Sequence, residues 1–444
     1  MNIHTLTSKA LFVALVLAIF PAITLGARAN QVKLNVAMGT PILLAGKAQR
    51  AFLKVGLTGF ELKQKDRVPV NIAIVLDRSG SMAGENIVRA REAAITAVEL
   101  LDERDIVSII TYDDKVSVLV PAMPLTDRAS VIEKIKSINT GGSTALFAGV
   151  SKGAQEVRKN LNGKYASRVI LLSDGQANKG PSTPGELGEL GRSLMKEGIA
   201  VSTIGLGLGY NEDLMSQLAK ASDGNHAFVE KPSDLAKIFK LEFGDLLSVV
   251  AQEVLVKVNC GDGVKPVRVL GREADITGKK VVAMLNQLYS RQEKFIVVEV
   301  EVPAGRPGQK LQVASVDVSY GNMATKKNDT LTGKAAVDFT QVAEKVKENQ
   351  DKKVMVSAVR MVANEMNKKA LELRDKGKVK QAQELLENNF RDLNNYANEF
   401  DDDTLRKDAK FNRQQAGQVS GKNWNKARKS MRKMQYMNDM QQSY

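Results

Sequence analysis

The strongest constraint on the fold of this chain is an apolar run that ends abruptly in polar residues. Residues 70–76, Val-Asn-Ile-Ala-Ile-Val-Leu, have the length of a β-strand and are almost wholly apolar. Such a run is typical of a parallel strand that is covered by helices on both faces. Asp77, Ser79 and Ser81 follow it directly, in the spacing Asp-x-Ser-x-Ser. They therefore fall at the carboxyl end of the strand, where open α/β sheets place their binding crevices.

Two other segments also bring oxygen-bearing side chains to a loop or strand end. Thr144 lies in a glycine-rich loop that runs into a helical pattern, and Asp174 follows the buried-strand run 168–173. Taken alone, each of these residues could be a helix cap or a turn residue. Carboxylate and hydroxyl oxygens, however, are ligands that suit a hard divalent cation such as Mg²⁺. Three such segments in one doubly wound domain are better explained by a single shared metal site.

These residues resemble the metal-ion-dependent adhesion site (MIDAS) of a von Willebrand factor type A domain. The resemblance implies that Ser79 and Ser81 bind the cation through their hydroxyls, and that Thr144 binds it directly in a high-affinity state. It also implies that Asp77 and Asp174 hold the cation directly or through water. One coordination position would stay open for a carboxylate of a protein partner. We expect Mg²⁺ in this site, with Mn²⁺ or Ca²⁺ as alternatives.

The rest of the chain predicts the architecture around this site. Strand-length apolar runs alternate with helical spacings over residues 68–249, which predicts a mostly parallel sheet with helices on both faces. Residues 30–67 and 250–341 instead show period-two segments broken by Gly, Asn and Pro, which is typical of an antiparallel β-sandwich. The predicted fold class is therefore α/β, a doubly wound domain inserted in a β-sandwich. This layout resembles that of secreted bacterial proteins related to the inter-alpha-trypsin inhibitor heavy chains.

The C-terminal part of the chain divides into two regions. Residues 342–403 predict a helical hairpin, either an ordinary one or a unit that resembles a single tetratricopeptide repeat, although a second copy is not found. Residues 404–444 are polar and carry ten Lys or Arg residues against two Asp residues. We expect this basic tail to be a solvated, partly disordered end, or else to contact an anionic surface. Specific recognition of nucleic acid is not expected, because few aromatic residues accompany the charges.

The N-terminal region predicts the compartment. Lys9 precedes the apolar run 10–20, and a small-residue site follows, which is the layout of a secretory signal over residues 1–29. We expect cleavage after Ala29, with an uncleaved membrane anchor as the alternative. After the signal, no segment is apolar enough to span a bilayer. Because Cys260 is the sole cysteine, an internal disulfide is excluded, and we expect a bacterial periplasmic or extracellular location.

The sequence gives little support for catalysis. His4 lies in the signal, and His226 with Cys260 does not make a credible nucleophilic dyad without a third orienting group. We therefore expect a non-enzymatic module for divalent-cation-dependent protein binding or adhesion, whose partner presents an exposed Asp or Glu. The alternatives are an assembly or scaffold subunit of a cell-envelope complex and, less favoured, a metal-dependent hydrolase built on the same five residues.

Overall fold

The computed structural model describes residues 30–63, 67–175 and 177–442 of the chain. These residues form three β-sheets and a C-terminal group of helices. The predicted signal sequence, with its cleavage site at Ala29, lies outside the described residues. Within those residues, no helix combines the length and the apolar character needed to cross a membrane.

Strands alternate with helices in the middle of the chain, and strands follow one another directly on either side of it, as the sequence predicts. The strands are β1 (Lys33–Met38), β2 (Ile42–Leu44), β3 (Gln49–Thr58), β4 (Val70–Asp77), β5 (Ile106–Tyr112), β6 (Val116–Pro124), β7 (Ala166–Ser173), β8 (Ala200–Leu206), β9 (His226–Val229), β10 (Val249–Cys260), β11 (Lys265–Leu270), β12 (Ala274–Thr277), β13 (Lys280–Tyr289), β14 (Glu293–Val302), β15 (Lys310–Asn322) and β16 (Lys327–Thr340). The helices are α1 (Glu85–Glu99), α2 (Arg128–Lys136), α3 (Leu146–Arg158), α4 (Pro184–Lys196), α5 (Glu212–Ala221), α6 (Leu235–Leu246), α7 (Ala343–Glu348), α8 (Lys352–Asp375), α9 (Val379–Phe400), α10 (Asp403–Gln418) and α11 (Trp424–Met440).

The central sheet belongs to an α/β domain that we define as residues 70–246. Its strand order is β6-β5-β4-β7-β8-β9, and every neighbouring pair is parallel except β5 with β6. Counted within the domain, this is the order 3-2-1-4-5-6 of doubly wound folds, whose ligands bind where the order reverses, between the first and fourth strands. Those two strands are β4 and β7, which precede the two candidate acids, so the topology places both at the binding edge.

Strand β4 is buried on both faces, as its apolar run predicts. Ile72, Ile74 and Leu76 pack into one core with α1, α2 and α6. Ala73 and Val75 point the other way, into a core shared with α3, α4 and α5. Side chains on both faces of β4 therefore enter apolar cores, so a strand that alternated apolar and polar residues would bury polar side chains here.

Helix α4 is an element that the sequence analysis did not predict. Thr183 caps it by accepting the N–H of Glu186, and the Glu186 side chain in turn accepts the N–H of Thr183. This reciprocal capping box, with Pro184 at the first helical position, is a sequence pattern that predicts the start of a helix.

Strands from both sides of the α/β domain build the β-sandwich. One sheet has the order β1-β3-β14-β11 and the other β12-β13-β10-β15-β16-β2. Strand β3 pairs antiparallel with β14, and β2 pairs parallel with β16, so each sheet joins segments that precede and follow the α/β domain. The predicted fold class, a doubly wound domain inserted in a sandwich, is therefore confirmed.

The C-terminal helices pack on both of the other units. Helices α8 and α9 form a hairpin, and Ala358 and Met361 of α8 pack against Leu270 and Val297 on the outer face of the smaller sandwich sheet. Helices α10 and α11 continue the bundle, and α11 lies on α5 and β9 of the α/β domain, with Tyr436 and Ala219 in contact. The hairpin therefore packs within a larger helical unit.

The expectation of a solvated, partly disordered tail over residues 404–444 is wrong, because much of its charge is used inside the molecule. Five of its ten basic residues form ion pairs: Arg406, Lys426, Arg428, Lys429 and Arg432. Three of them meet the acidic first turn of α5, where Glu212 and Asp213 lie. Acids remote in sequence thus compensate basic residues of α11 and fix this helix in place, whereas Arg406 pairs with the neighbouring Asp401 and Asp403.

Candidate metal centre

Asp77, the last residue of β4, is fully buried with its carboxylate fixed in one orientation. Its Oδ1 accepts the backbone N–H of Ser79 at 2.8 Å. Its Oδ2 accepts the hydroxyl of Ser173 at 2.6 Å and that of Tyr112 at 3.3 Å. All three donors are neutral, so they orient the carboxylate without cancelling its charge.

The two serine hydroxyls lie between the two acids. Ser79 Oγ and Ser81 Oγ are 3.1 Å apart, and Ser81 Oγ donates to Asp174 Oδ1 at 2.8 Å. Oxygens at neighbouring corners of an octahedron with bonds of about 2.1 Å, as around Mg²⁺, are about 3.0 Å apart. Around Ca²⁺, with bonds of about 2.4 Å, the same spacing would be about 3.4 Å. The observed spacings of 3.1 and 2.8 Å are also those of ordinary hydrogen bonds, so they bring the oxygens close enough to share one cation without selecting its size.

Thr144 completes the group from the opposite side. A Cβ atom built on Gly175 would lie 3.3 Å from Thr144 Oγ1 and 3.4 Å from Ser81 Oγ, so the two hydroxyls converge beside this glycine. The Thr144 loop is held in place because its backbone N–H donates to Asn178 Oδ1 at 2.9 Å. The fold thus brings all five predicted residues to one edge of the sheet; we call this set the candidate metal centre.

Backbone hydrogen bonds join the first loop to the loop that carries Thr144. Gly141 N–H donates to Arg78 O at 2.8 Å, and Gly80 N–H donates to Gly142 O at 3.1 Å. The Arg78 guanidinium also pairs with Asp113 at 2.5 Å. Gly142 has φ of +75°, and a Cβ there would collide with Asp113, so only glycine suits this position. The loops are therefore positioned by the fold before any ligand arrives.

The acids of the centre carry charge that the protein does not neutralise. Burial raises the pKa of Asp77 and of Asp174, against the hydrogen bonds that Ser173 and Ser81 donate to them. Neither acid pairs with a Lys or Arg in the described part of the chain. A divalent cation would supply this missing charge, and carboxylate and hydroxyl oxygens are the donor set that hard cations prefer.

Hydroxyls are a necessary part of this donor set. Within residues 30–63, 67–175 and 177–442, no group of three His, Cys, Asp or Glu side chains could hold a metal ion. Ser81 is exposed, whereas Ser79, Thr144 and Asp174 are buried, so the centre opens to solvent beside Ser81. Any further ligand of a bound cation would enter from this side.

Sequence reasoning missed the residues that orient the acids. Asn86 Nδ2 donates to Asp174 Oδ2 at 2.7 Å, and Ser173 and Tyr112 hold Asp77 as described above. Ser173 had a signal, because it immediately precedes Asp174 at the strand end, whereas Asn86 reads as an ordinary residue of a first helical turn. His226 lies apart from the centre; its burial lowers the pKa of the imidazole to about 3, and its ring packs edge-on against Tyr436 of α11.

Comparison with known proteins agrees with this geometry. The family model of the von Willebrand factor type A domain matches residues 71–241. The uncharacterized protein sll0103 of Synechocystis sp. is 25% identical over 276 residues, which are 60% of this chain and 65% of that protein. Human inter-alpha-trypsin inhibitor heavy chain H3 is 30% identical over 173 residues, which are 37% of this chain and 19% of the relative. The chain thus spans less than two thirds of the length of each of these relatives.

Solved structures extend the likeness beyond the central domain. The structure described as von Willebrand factor type A from Catenulispora acidiphila has a TM-score of 0.69, covers 86% of this chain and 89% of its own, and is 17% identical. At this identity the likeness is one of fold. The family model thus identifies residues 71–241 of this chain as a von Willebrand factor type A domain, and the solved structure shares its fold.

Proposed function

We propose that this chain is a protein-binding module in which a divalent cation joins the candidate metal centre to an Asp or Glu of a partner protein. Domains of this family are typically interaction modules rather than enzymes. The observation that carries the proposal is the pair of buried acids, Asp77 and Asp174, that lack a cationic partner among the described residues and are joined by the hydroxyls of Ser79 and Ser81.

The chemistry of the centre explains why the partner should present an acid. Two carboxylates balance the charge of a divalent cation, and the neutral hydroxyls of Ser79, Ser81 and Thr144 add none. A cation held in this way remains electrophilic, and its open side faces solvent beside Ser81. A carboxylate is a ligand that hard cations prefer, so an Asp or Glu of a partner completes the coordination.

Metal binding is the first test of this proposal. Calorimetry on the full chain is expected to show one site for Mg²⁺ or Mn²⁺, lost in Asp77→Ala and weakened in Ser81→Ala. The control is Asp262→Ala, which removes a fully exposed acid of the sandwich and is expected to leave binding unchanged. Tight binding of Zn²⁺ with no response to Mg²⁺ would refute the proposal, because it would require softer ligands than these.

Capture of a partner is the second test. A pull-down from a cell-envelope fraction is expected to retain proteins in Mg²⁺ that are released by a chelator, and Asp174→Ala is expected to retain none of them. Circular dichroism of Asp174→Ala should match the wild type, because the cores of the domain do not include the metal. Partners that remain bound in chelator would exclude capture through the cation.

The location and the partner class are part of the same proposal. We infer from the N-terminal sequence that the chain works outside the cytoplasm, where its partner is either an adhesion target or a neighbour in a cell-envelope assembly. A hydrolase built on the same residues is less favoured, because His226 is buried and hydrogen-bonded to Thr203, and the proposal assigns both acids of the centre to the cation. A phosphodiesterase and protease screen of the purified chain tests that alternative.

A further inference from the structure

Both oxygens of the Asp174 carboxylate are bound by the stretch of chain that follows β4. Ser81 Oγ donates to Oδ1 at 2.8 Å, and Asn86 Nδ2 donates to Oδ2 at 2.7 Å. A carboxylate only accepts hydrogen bonds, so Asn86 must present its NH₂ group to Asp174. The two oxygens therefore differ: Oδ1 belongs to the cluster of hydroxyls, and Oδ2 is turned toward helix α1.

Asn86 is not needed to start that helix. The N-cap of α1 is Gly84, and no side chain caps its first turn. The helix is instead anchored by Ile87 and Ala90, which are buried in the domain core and fix the backbone from which Asn86 projects. The Asn86 amide is therefore held rigidly, and its hydrogen bond is made to Asp174.

We propose that Asn86 is a positioning residue that restricts Asp174 to one oxygen facing the cation and thereby favours Mg²⁺ over Ca²⁺. This inference rests on the proposed metal-dependent function and adds the determinant of metal choice. Mg²⁺ demands a near-ideal octahedron with short bonds, which a single oxygen at Oδ1 can join. Ca²⁺ takes six to eight ligands and accepts carboxylates through both oxygens.

Removal of the Asn86 amide is expected to change this selectivity. Asp174 could then rotate and offer both oxygens, which suits the larger cation and also occupies the position meant for the partner. Outer-shell hydrogen-bond partners of metal ligands typically change affinity by about 10- to 100-fold when they are mutated. An amide does not titrate, so the restriction that it imposes holds at every pH at which Asp174 is ionised.

The test is calorimetry of the full-length chain with Mg²⁺ and, separately, with Ca²⁺. Asn86→Leu keeps the size of the side chain and removes the donor, and Asn86→Ala guards against effects of the larger apolar group. Both variants are expected to bind Mg²⁺ about tenfold more weakly and Ca²⁺ with an affinity within about threefold of the wild type. The matched control, Glu85→Gln, changes an exposed residue of the same helical turn and is expected to alter neither affinity.

The possible outcomes separate this inference from the proposed function. Equal weakening for both cations would overturn the inference, because a general loosening of the loop moves both alike. Unchanged affinities in both Asn86 variants would overturn it as well, while a wild type that binds Mg²⁺ leaves the metal-dependent function standing. A wild type that binds neither cation would overturn the proposed function and the inference together.

Discussion

The two ends of the central sheet hold buried charge in opposite ways. At the carboxyl ends of the strands, Asp77 and Asp174 accept hydrogen bonds from hydroxyl and amide groups alone. At the amino ends, where the α/β domain meets the sandwich, each main buried charge has a partner of opposite sign. An acid with a cationic partner holds two units together, whereas an acid without one remains available to an added cation.

Arg168 is the centre of the compensated end. It is the third residue of β7, is fully buried, and pairs with Glu242 of α6 at 2.5 Å. The same guanidinium reaches into the sandwich, where it donates to the hydroxyl of Tyr289 at 2.5 Å and to the side chain of Gln287, both on β13. One side chain therefore joins two strands of different sheets and a helix.

Asp223 shows the contrast in its pKa. Burial alone would raise the pKa of Asp223, but Lys294, with Nζ at 3.6 Å, and Arg272, which pairs with it, outweigh burial and lower that pKa. For Asp77 and Asp174 burial prevails and the pKa is raised. The direction of the shift thus separates Asp223, whose charge is compensated by Lys294 and Arg272, from Asp77 and Asp174, whose charge is not compensated.

The largest expected effect is at the compensated end. Arg168→Met should lower the free energy of unfolding by about 3–5 kcal/mol, because it leaves Glu242 buried beside fewer compensating groups. Urea denaturation measures this loss. The control Arg158→Met breaks a solvent-exposed pair with Glu197 and should cost less than about 1 kcal/mol. A similar small cost for Arg168→Met would mean that the junction does not depend on compensated charge.

A smaller effect is expected at the contact of α11 with the α/β domain. Arg428 is mostly buried and pairs with Glu212, Asp213 and Asp375, so Arg428→Ala should cost about 1–3 kcal/mol. High salt should reduce that difference, since screening acts on the exposed part of the cluster. Lys422→Ala is the control, because this residue is exposed on the α10–α11 connection. Equal results for both variants would show that packing alone holds α11.

A pH dependence is expected from Asp245, beside the compensated end. Burial, and then the charge of Glu242, raises the pKa of Asp245 to about 6. The folded state therefore binds this proton more tightly than the unfolded state, whose pKa is about 3.9, so the stabilisation is complete below about pH 4 and is lost as the pH rises through 6. Between pH 4 and a pH above 6, the free energy of unfolding of the wild type should fall by about 1–2 kcal/mol more than that of Asp245→Asn. This figure is reduced because Asp245 is only partly buried.

Denaturation of both proteins between pH 4 and pH 7 measures the slope. Parallel curves of stability against pH for Asp245→Asn and the wild type would show that Asp245 does not bind a proton more tightly in the folded state than in the unfolded state.

The smallest effect on stability is expected at the candidate metal centre. Asp174→Asn should change the free energy of unfolding by less than about 1 kcal/mol, and upward if at all, because burial disfavours the charged carboxylate that it removes. Thermal unfolding with and without Mg²⁺ should show stabilisation by the cation in the wild type and none in the variant. A loss of several kcal/mol without metal would place Asp174 in the same structural class as Asp223 and end the contrast.

The convergence of the residues of the candidate metal centre could be predicted from sequence because its signals are local. Asp77, Ser79 and Ser81 lie within five residues of one another after an apolar run, and Asp174 follows a second run. Asn86 could not be predicted, because an Asn in a first helical turn has many uses and its partner is 88 residues away in sequence.

The compensated contacts could not be predicted because their partners are remote. Arg168 and Gln287 are 119 residues apart, and Arg428 and Glu212 are 216 apart. In the sequence, Arg168 interrupts an apolar strand and Arg428 belongs to a basic stretch. Neither local pattern indicates which acidic residue is its partner. Ten basic residues against two acids within residues 404–444 therefore gave the appearance of a solvated tail.

The pairing of β3 with β14 has a consequence for folding during synthesis. Lys54 and Glu293, which form an ion pair across these strands, are 239 residues apart, whereas the whole central sheet is encoded without interruption between them. As the chain emerges from its N-terminus, the α/β domain can complete itself while β3 still lacks its neighbour β14. Exposed strand edges invite aggregation. The edge of β3 that pairs with β14 therefore stays open to such contacts until residue 302 has emerged.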